Sequence, residues 1–227
     1  MAMSRLMAVA GHDLKQPLQV AVMSIARAVG EPVQARATAR LRIALDALTR
    51  LGSELDDLAR SSVEDRDLKP VRERVELGPV LRGVERDWRF YADACGVELH
   101  FRYPPICVTS DETMLRTILR NLVGNAIKYC GRGGRVVVGA RLRGDTVSIQ
   151  IHDNGCGIAS SQLATIFDAF ERGDWDGQGE GLGLGLHIVR QTAGILGHPV
   201  TVRSNEGQGS IFSITVPRAG GYGSIFG

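Results

Sequence analysis

The sequence is poor in the features that would tie a chain to a disulfide framework, a membrane or a polyanion. It has four cysteines, Cys95, Cys107, Cys130 and Cys156, with no paired metal-ligand spacing, and each falls in a stretch that reads as a regular element. Reduced, mostly structural thiols are expected. No run reaches the roughly 18 apolar residues of a membrane span, and Met1 to Gly11 lacks a secretory apolar core. A cytoplasmic chain is expected, with any sensor or membrane anchor of a longer protein lying ahead of Met1. Excess charge is also missing: 27 basic residues face 25 acidic ones, for a net charge of +2. That balance points to neither nucleic acid nor membrane. What remains, 44% hydrophobic and 23% charged over 227 residues, suits a soluble globular chain of one or two domains with a real core.

Heptad-like patterning dominates the N-terminal part. Apolar and small residues recur at Met3, Met7, Ala10, Leu14, Pro17, Ala21, Ile25 and Ala28, mostly in steps of fours and threes. Gly30 is placed to end this helix near Val29, and Glu31-Pro32 to begin the next. A second stripe follows at Leu41, Ala44, Leu48, Leu51, Leu55 and Leu58. Two long helices folding back as a hairpin bury little alone, so a homodimer forming a four-helix bundle is the natural consequence. His12 lies two residues from both Ala10 and Leu14, an offset of roughly 200° that turns it away from the stripe. Pro17 removes the donor for the carbonyl of Asp13 and predicts a kink beside His12. An exposed histidine by itself is usually only a solvated side chain.

The run Gly11-His12-Asp13-Leu14-Lys15-Gln16-Pro17-Leu18 resembles the phosphoacceptor box of bacterial sensor histidine kinases, which reads His-Asp/Glu-Leu-Arg/Lys-x-Pro-Leu. After it, the heptad pattern dissolves into a charged stretch from Ser61 to Arg74, which reads as an interdomain linker. Mixed elements follow. Helices are predicted over 78–95, 114–129, 161–170 and 186–196, and strands over 97–101, 135–142, 146–152, 200–204 and 210–216. This segregation predicts an α+β sandwich, a sheet covered on one face by helices. The glycine-rich end from Ala219 reads as a frayed tail.

Asn121, Asn125 and Lys128 are spaced so that they fall within about 60° on one face of their helix. Leu115, Ile118, Leu119, Leu122 and Ala126 take an adjacent face. Two amides and an ammonium supply metal-binding oxygens and a phosphate counter-charge, although a hydrated polar face would look the same. Asp153-Asn154-Gly155-Cys156-Gly157 follows a strand but leads into helical patterning, which argues against a simple hairpin turn. A carboxylate there, beside glycines that admit close backbone approach, suits an adenine amine. Gly181-Leu182-Gly183-Leu184-Gly185-Leu186 opens a helix whose free N–H groups can hold phosphate oxygens. It lacks the Gly-Lys-Ser/Thr of a Walker loop and the preceding strand of a dinucleotide fingerprint.

Taken together, Asn121 to Tyr129 resembles the N box of the histidine kinase ATP-binding domain. Asp153 to Gly157 resembles its first glycine box, Ile166 to Arg172 its F box and Gly181 to Leu186 its second glycine box. Gly173 to Glu180 would be the mobile lid, in which Trp175 has no clear counterpart. The resemblance runs from about Leu6 to Pro217. It implies a dimerisation and phosphotransfer hairpin over residues 1–64, a linker over 65–74, a Bergerat-type ATP-binding domain over 75–217 and a tail over 218–227. It also implies that ATP and Mg²⁺ are bound, with the metal held through Asn125 with help from Asn121. Lys128 and Arg172 would meet the phosphates, Tyr129 would lie near the adenine read by Asp153, and Gly155, Gly157, Gly181, Gly183, Leu184 and Gly185 would shape the pocket. His12 would be phosphorylated, with Asp13 orienting its ring, and would pass the phosphoryl group to an aspartate in the receiver domain of a response regulator. Two alternatives stay open: a dimeric ATP-binding pseudokinase or scaffold, and another ATPase or serine kinase of the same nucleotide fold.

One position departs from the resembled family, where the residue four after the phosphoacceptor is threonine or asparagine and is thought to position the water that hydrolyses the phosphorylated regulator. Here it is Gln16. Glutamine keeps the amide but adds a methylene, and a misplacement of about 1 Å can cost about a hundredfold in rate. The expected outcome is a competent kinase that is a weak phosphatase. Decay of a phosphorylated cognate regulator should speed up with Gln16→Thr or Gln16→Asn, and an unmodified protein as fast as the better variant would contradict this.

Overall fold

The computed structural model describes residues 69–168 and 185–220, and the chain divides into two compact units, Met1–Asp67 and Leu68–Gly227. The hairpin expected over residues 1–64, the lid and the tail beyond Gly220 lie outside the described residues. In the second unit, strand β1 (Glu73–Glu76) begins within the last residues of the stretch read as linker. It leads directly into helix α1 (Leu77–Cys95). The spacing of Leu77, Val80, Leu81, Val84 and Ala92 puts one apolar face of α1 into the core, where all five are buried. The helix ends because Gly96 takes φ 68°, letting Gly96 and Val97 donate to the carbonyls of Asp93 and Ala92. That paired bonding is a Schellman stop, which glycine adopts without a Cβ penalty.

Strand β2 (Glu98–Phe101) and strand β3 (Cys107–Ser110) follow. β1 and β3 pair antiparallel as a small separate sheet. Neither was predicted from the sequence: β1 lies within the charged stretch read as linker, and β3 is a four-residue run following Pro104-Pro105. Helix α2 (Glu112–Cys130) starts two residues ahead of the predicted point. Its N-cap, Asp111, accepts from the Met114 N–H at 3.0 Å through Oδ1. Its other oxygen accepts from the Val71 N–H at 3.1 Å, tying the irregular segment that leads into β1 to the same cap.

Strands β4 (Arg135–Arg143), β5 (Thr146–Asp153), β6 (Val200–Asn205) and β7 (Gly209–Pro217) complete a five-stranded sheet in the order β2-β4-β5-β7-β6. β2 is parallel to β4 and the other pairs are antiparallel. Helix α3 (Gly185–Leu196) packs on α2. On the covered face, Val136, Val138, Ile149, Ile151, Phe212 and Ile214 meet Leu115, Ile118, Leu119, Leu122 and Ile127 of α2 in one core. Each such side chain contributes about 1.5–3 kcal/mol on burial. The α+β sandwich with helices on one face is therefore present. No helix among the described residues is long and apolar enough to cross a membrane.

Two predictions need correction. The helix expected over 161–170 is, through Asp168, a succession of turns. Its bonds are mostly three residues apart, from Gln162 to Ala159, Thr165 to Gln162 and Asp168 to Thr165. One four-residue bond, from the Ile166 N–H to the Gln162 carbonyl, does form, but that carbonyl is shared with the Thr165 N–H and hydroxyl and the pattern does not propagate into a helix. Cys156 lies in the loop after β5 rather than in a regular element, because the backbone leaves the sheet at Asn154.

Gly124 lets α1 and α2 approach. A Cβ there would lie 2.6 Å from Cζ2 of Trp88. Helix propensity alone says that Gly124→Ala should stabilise by roughly 0.5–1 kcal/mol, whereas overpacking costs about 1–3 kcal/mol. The clash should win. We expect Gly124→Ala to lower stability in denaturant melts and Trp88→Leu to relieve part of that loss in the double variant. A stabilised Gly124→Ala would show that the ring yields freely.

Candidate functional site

The apolar stripe of α2 turns its opposite edge outward, and Asn121, Asn125 and Lys128 stand there half-buried. Asn121 donates through Nδ2 to the Thr117 carbonyl at 2.9 Å, which leaves Oδ1 for other contacts. The first residue of α3 lies against the two amides: a Cβ on Gly185 would be 3.2 Å from Asn121 Oδ1 and 3.6 Å from Asn125 Nδ2 and Oδ1. Free backbone N–H groups and the positive end of a helix dipole are thus set beside two amide oxygens. One turn further along α2, the Lys128 ammonium sits 4.9 Å from the centre of the Tyr129 ring, which is exposed.

The other half of the site is built on β5. Asp153 ends the strand, and its Oδ1 accepts from the N–H of Gly155 at 3.0 Å and of Ser210 at 3.1 Å. Its Oδ2 takes no hydrogen bond among the described residues. Burial pushes this carboxyl above the ordinary aspartate range, and the two backbone donors only partly offset that. The loop beyond it is held by backbone contacts that only glycine permits. A Cβ on Gly155 would be 2.3 Å from the Tyr129 carbonyl oxygen, and one on Gly157, where φ is 72°, would be 2.0 Å from that of Asn205. The Cys156 N–H donates to the Tyr129 carbonyl at 3.3 Å, and the Ile158 N–H to the Ser204 hydroxyl at 2.8 Å. The loop carrying Asp153 is therefore fastened to the C-terminal end of α2. About 12 Å of helix separates Asn121 from Tyr129.

Of the residues singled out from the sequence, Asn121, Asn125, Lys128, Tyr129, Asp153, Gly155, Gly157 and Gly185 line this strip. His12, Asp13, Gln16, Arg172, Gly181, Gly183 and Leu184 lie outside the described residues. Sequence reasoning missed Thr117, Ser204 and Ser210, whose roles come from helix spacing and strand register, and also Asn154. The Asn154 side chain closes the turn after α2, accepting from the Arg135 N–H at 2.6 Å and from the Cys130 thiol at 3.1 Å. Burial raises the thiols of Cys130 and Cys156, which suits the structural role expected of them.

Residues 110–220 match the family described as histidine kinase-, DNA gyrase B- and HSP90-like ATPase. A sensor-like histidine kinase of Rhizobium meliloti is 29% identical over 95% of this chain and 43% of its own length. The sensor-like histidine kinase SenX3 of Mycobacterium tuberculosis is 31% identical over 91% of this chain and 52% of its own. The chain thus spans about half the length of such relatives. Among solved structures, full-length ShkA in complex with AMPPNP aligns with a TM-score of 0.68 at 28% identity, over 95% of this chain and 46% of that one. The mycobacterial sensor histidine kinase MprB aligns with a TM-score of 0.56 at 28% identity, over 65% of this chain and 98% of its own.

The raised carboxyl makes a test of the site. Asparagine at position 153 keeps the Oδ1 acceptor for Gly155 and Ser210 but carries no charge. With the folded pKa above the unfolded one, the contribution of Asp153 to stability is fully present below the ordinary aspartate range and is lost as pH rises through the folded value. Asp153→Asn should therefore melt at the same or a higher temperature than the unmodified chain at neutral pH, with the difference narrowing in acid. A variant markedly less stable at neutral pH would mean that the carboxylate itself holds the loop.

Proposed function

We propose that this chain, which carries an ATP-binding domain of the histidine kinase type at residues 110–220 and is similar along most of its length to bacterial sensor histidine kinases, is a kinase core that phosphorylates itself on His12 from ATP. The observation that carries this reading is the start of α3 at Gly185 set against the amides of Asn121 and Asn125, with Asp153 holding one oxygen unengaged at the end of β5. That oxygen accepts a hydrogen bond from the exocyclic amine of adenine, and Tyr129 flanks the base. Phosphate oxygens meet the N–H groups at the head of α3, with Gly181, Gly183 and Leu184 shaping the approach. Lys128 and Arg172 add positive charge.

The donor set fits a magnesium ion. Hard amide oxygens stand beside the phosphate-binding helix terminus, and Mg²⁺ commonly takes few protein oxygens and shares substrate phosphates. Asn125 would hold it with help from Asn121, and it would neutralise phosphate charge. The chain's own side chains do the rest. The neutral Nε2 of His12 attacks the γ-phosphorus, the bond to the ADP oxygen breaks, and Asp13 steadies the ring through Nδ1–H as the imidazolium forms. The phosphoryl group then passes to an aspartate of a response regulator receiver domain. Dimerisation through the N-terminal hairpin and a cytoplasmic location complete the reading. Its support is the paired apolar stripes and the phosphoacceptor box.

Incubation with γ-labelled ATP tests it. Label that is acid-labile and alkali-stable is expected on the unmodified chain. His12→Gln should lose it while keeping affinity for an ATP analogue, because acceptor and nucleotide site lie in different units. Label retained in that variant would refute His12 as the acceptor. ATP bound with no label at all would favour a scaffold.

A further inference from the structure

The helices cover one face of the five-stranded sheet, and the other face is open to solvent and charged. Strand alternation and register put Arg102, Arg135, Arg141, Arg143 and Arg203 on it, against Glu98 as its one carboxylate. Glu98 is already engaged by Arg135 at 3.3 Å. The other four arginines make no ion pair or side-chain hydrogen bond among the described residues. Since the whole chain is only +2, this face concentrates the positive charge. At its centre the strand pattern is interrupted by Gly139, which faces Gln150 across β4 and β5. A Cβ built there meets only Cβ of Arg102, at 3.6 Å. Gly139 thus leaves a gap with room for at least a methyl group, bordered by Arg102 across the strands and with Arg141 two residues along. A glycine inside a strand is otherwise a net loss, and it commonly marks a close approach by something else.

We propose that this face is a docking surface for an acidic protein segment, which places a glutamate or aspartate side chain in the Gly139 gap between the Arg102 and Arg141 guanidinium groups. The chemistry favours that occupant. All five cations are arginine, whose planar donors pair with carboxylates in two-point fashion. In its strands the face carries no Phe, Tyr or Trp, so it lacks the stacking platforms of single-stranded nucleic-acid sites, and its larger apolar side chains, Val137 and Ile211, are partly buried among polar neighbours rather than set to enter a membrane interface. His100 and His152 also lie on this face. His152 is held below the ordinary histidine range first by burial and then by Arg141, so it is neutral at physiological pH and leaves the arginines to set the charge.

The test is a titration of the full chain with a synthetic peptide of alternating glutamate and alanine at low ionic strength, followed by amide chemical shifts and calorimetry. Shifts should centre on Gly139 and Gln150, and affinity should weaken with added salt. The Arg102→Gln/Arg141→Gln variant should bind about tenfold more weakly. Gly139→Thr, which fills the gap and leaves every charge in place, should also lose binding. Both variants should keep their affinity for an ATP analogue, which checks folding independently of the face. Equal peptide binding by Gly139→Thr, or shifts elsewhere on the domain, would overturn the proposal. Tighter binding of a DNA duplex or of phosphatidylserine vesicles than of the peptide at matched ionic strength would overturn it too.

Discussion

Burial of one face of α2 is the constraint on which the rest of this domain depends. Leu115, Ile118, Leu119, Leu122 and Ile127 are wholly buried against the sheet and the neighbouring helices, and a helix so committed cannot rotate about its axis without exposing them. That fixes the direction of the opposite edge, where Asn121, Asn125 and Lys128 stand. Precision in the polar strip is thus a by-product of apolar packing, which is stronger and less sensitive to solvent than any hydrogen bond the strip makes for itself. Trp88, lodged over Gly124, adds a steric stop between α1 and α2 at the level of those amides.

The second half of the strip depends on close backbone approaches as well as on side-chain hydrogen bonds. Gly155, Gly157 and Gly209 each bring main chain so close to another carbonyl that a Cβ would fall within 2.0–2.3 Å of it. The result is a carboxylate whose position is set by two N–H donors and whose charge is costly because it is partly desolvated. A partly buried carboxyl fixed in this way is suited to recognising a donor, since leaving that donor unmatched is penalised in the same low-dielectric surroundings. The resemblance to the family and the geometry single out the same residues here. Both draw on Asp153, Asn121, Asn125 and Gly185, one through motif and the other through contact.

The two faces of the sheet have divided the work. One is apolar and builds the platform for the strip. The other is largely polar, rich in arginine and interrupted by one glycine. Strand alternation produces both from the same residues, so a change of register by one position would exchange them and destroy the core.

Much of this was legible beforehand. The period of 3.6 in α2, the alternation in β4, β5 and β7, and the ordered boxes located the fold class and most of the strip, because helices and strands bury their faces at fixed spacings and the boxes carry unusual glycines. Short elements were not legible. β1 and β3 form through distant partners, one another and the chain at Arg218 and Ala219, and the turns after Ser160 replaced a predicted helix because three-residue bonds outnumber the single four-residue one there. Nor could sequence show that Ser210 supports Asp153, since that bond exists only because β5 and β7 pair Asp153 with Ser210. The same holds for Arg102, Arg141 and Arg203, which share a face solely through strand order. Local periodicity is written in neighbouring residues and can be read along the chain. Pairing across the sheet is decided by the energy of the whole core, and only the folded structure states it.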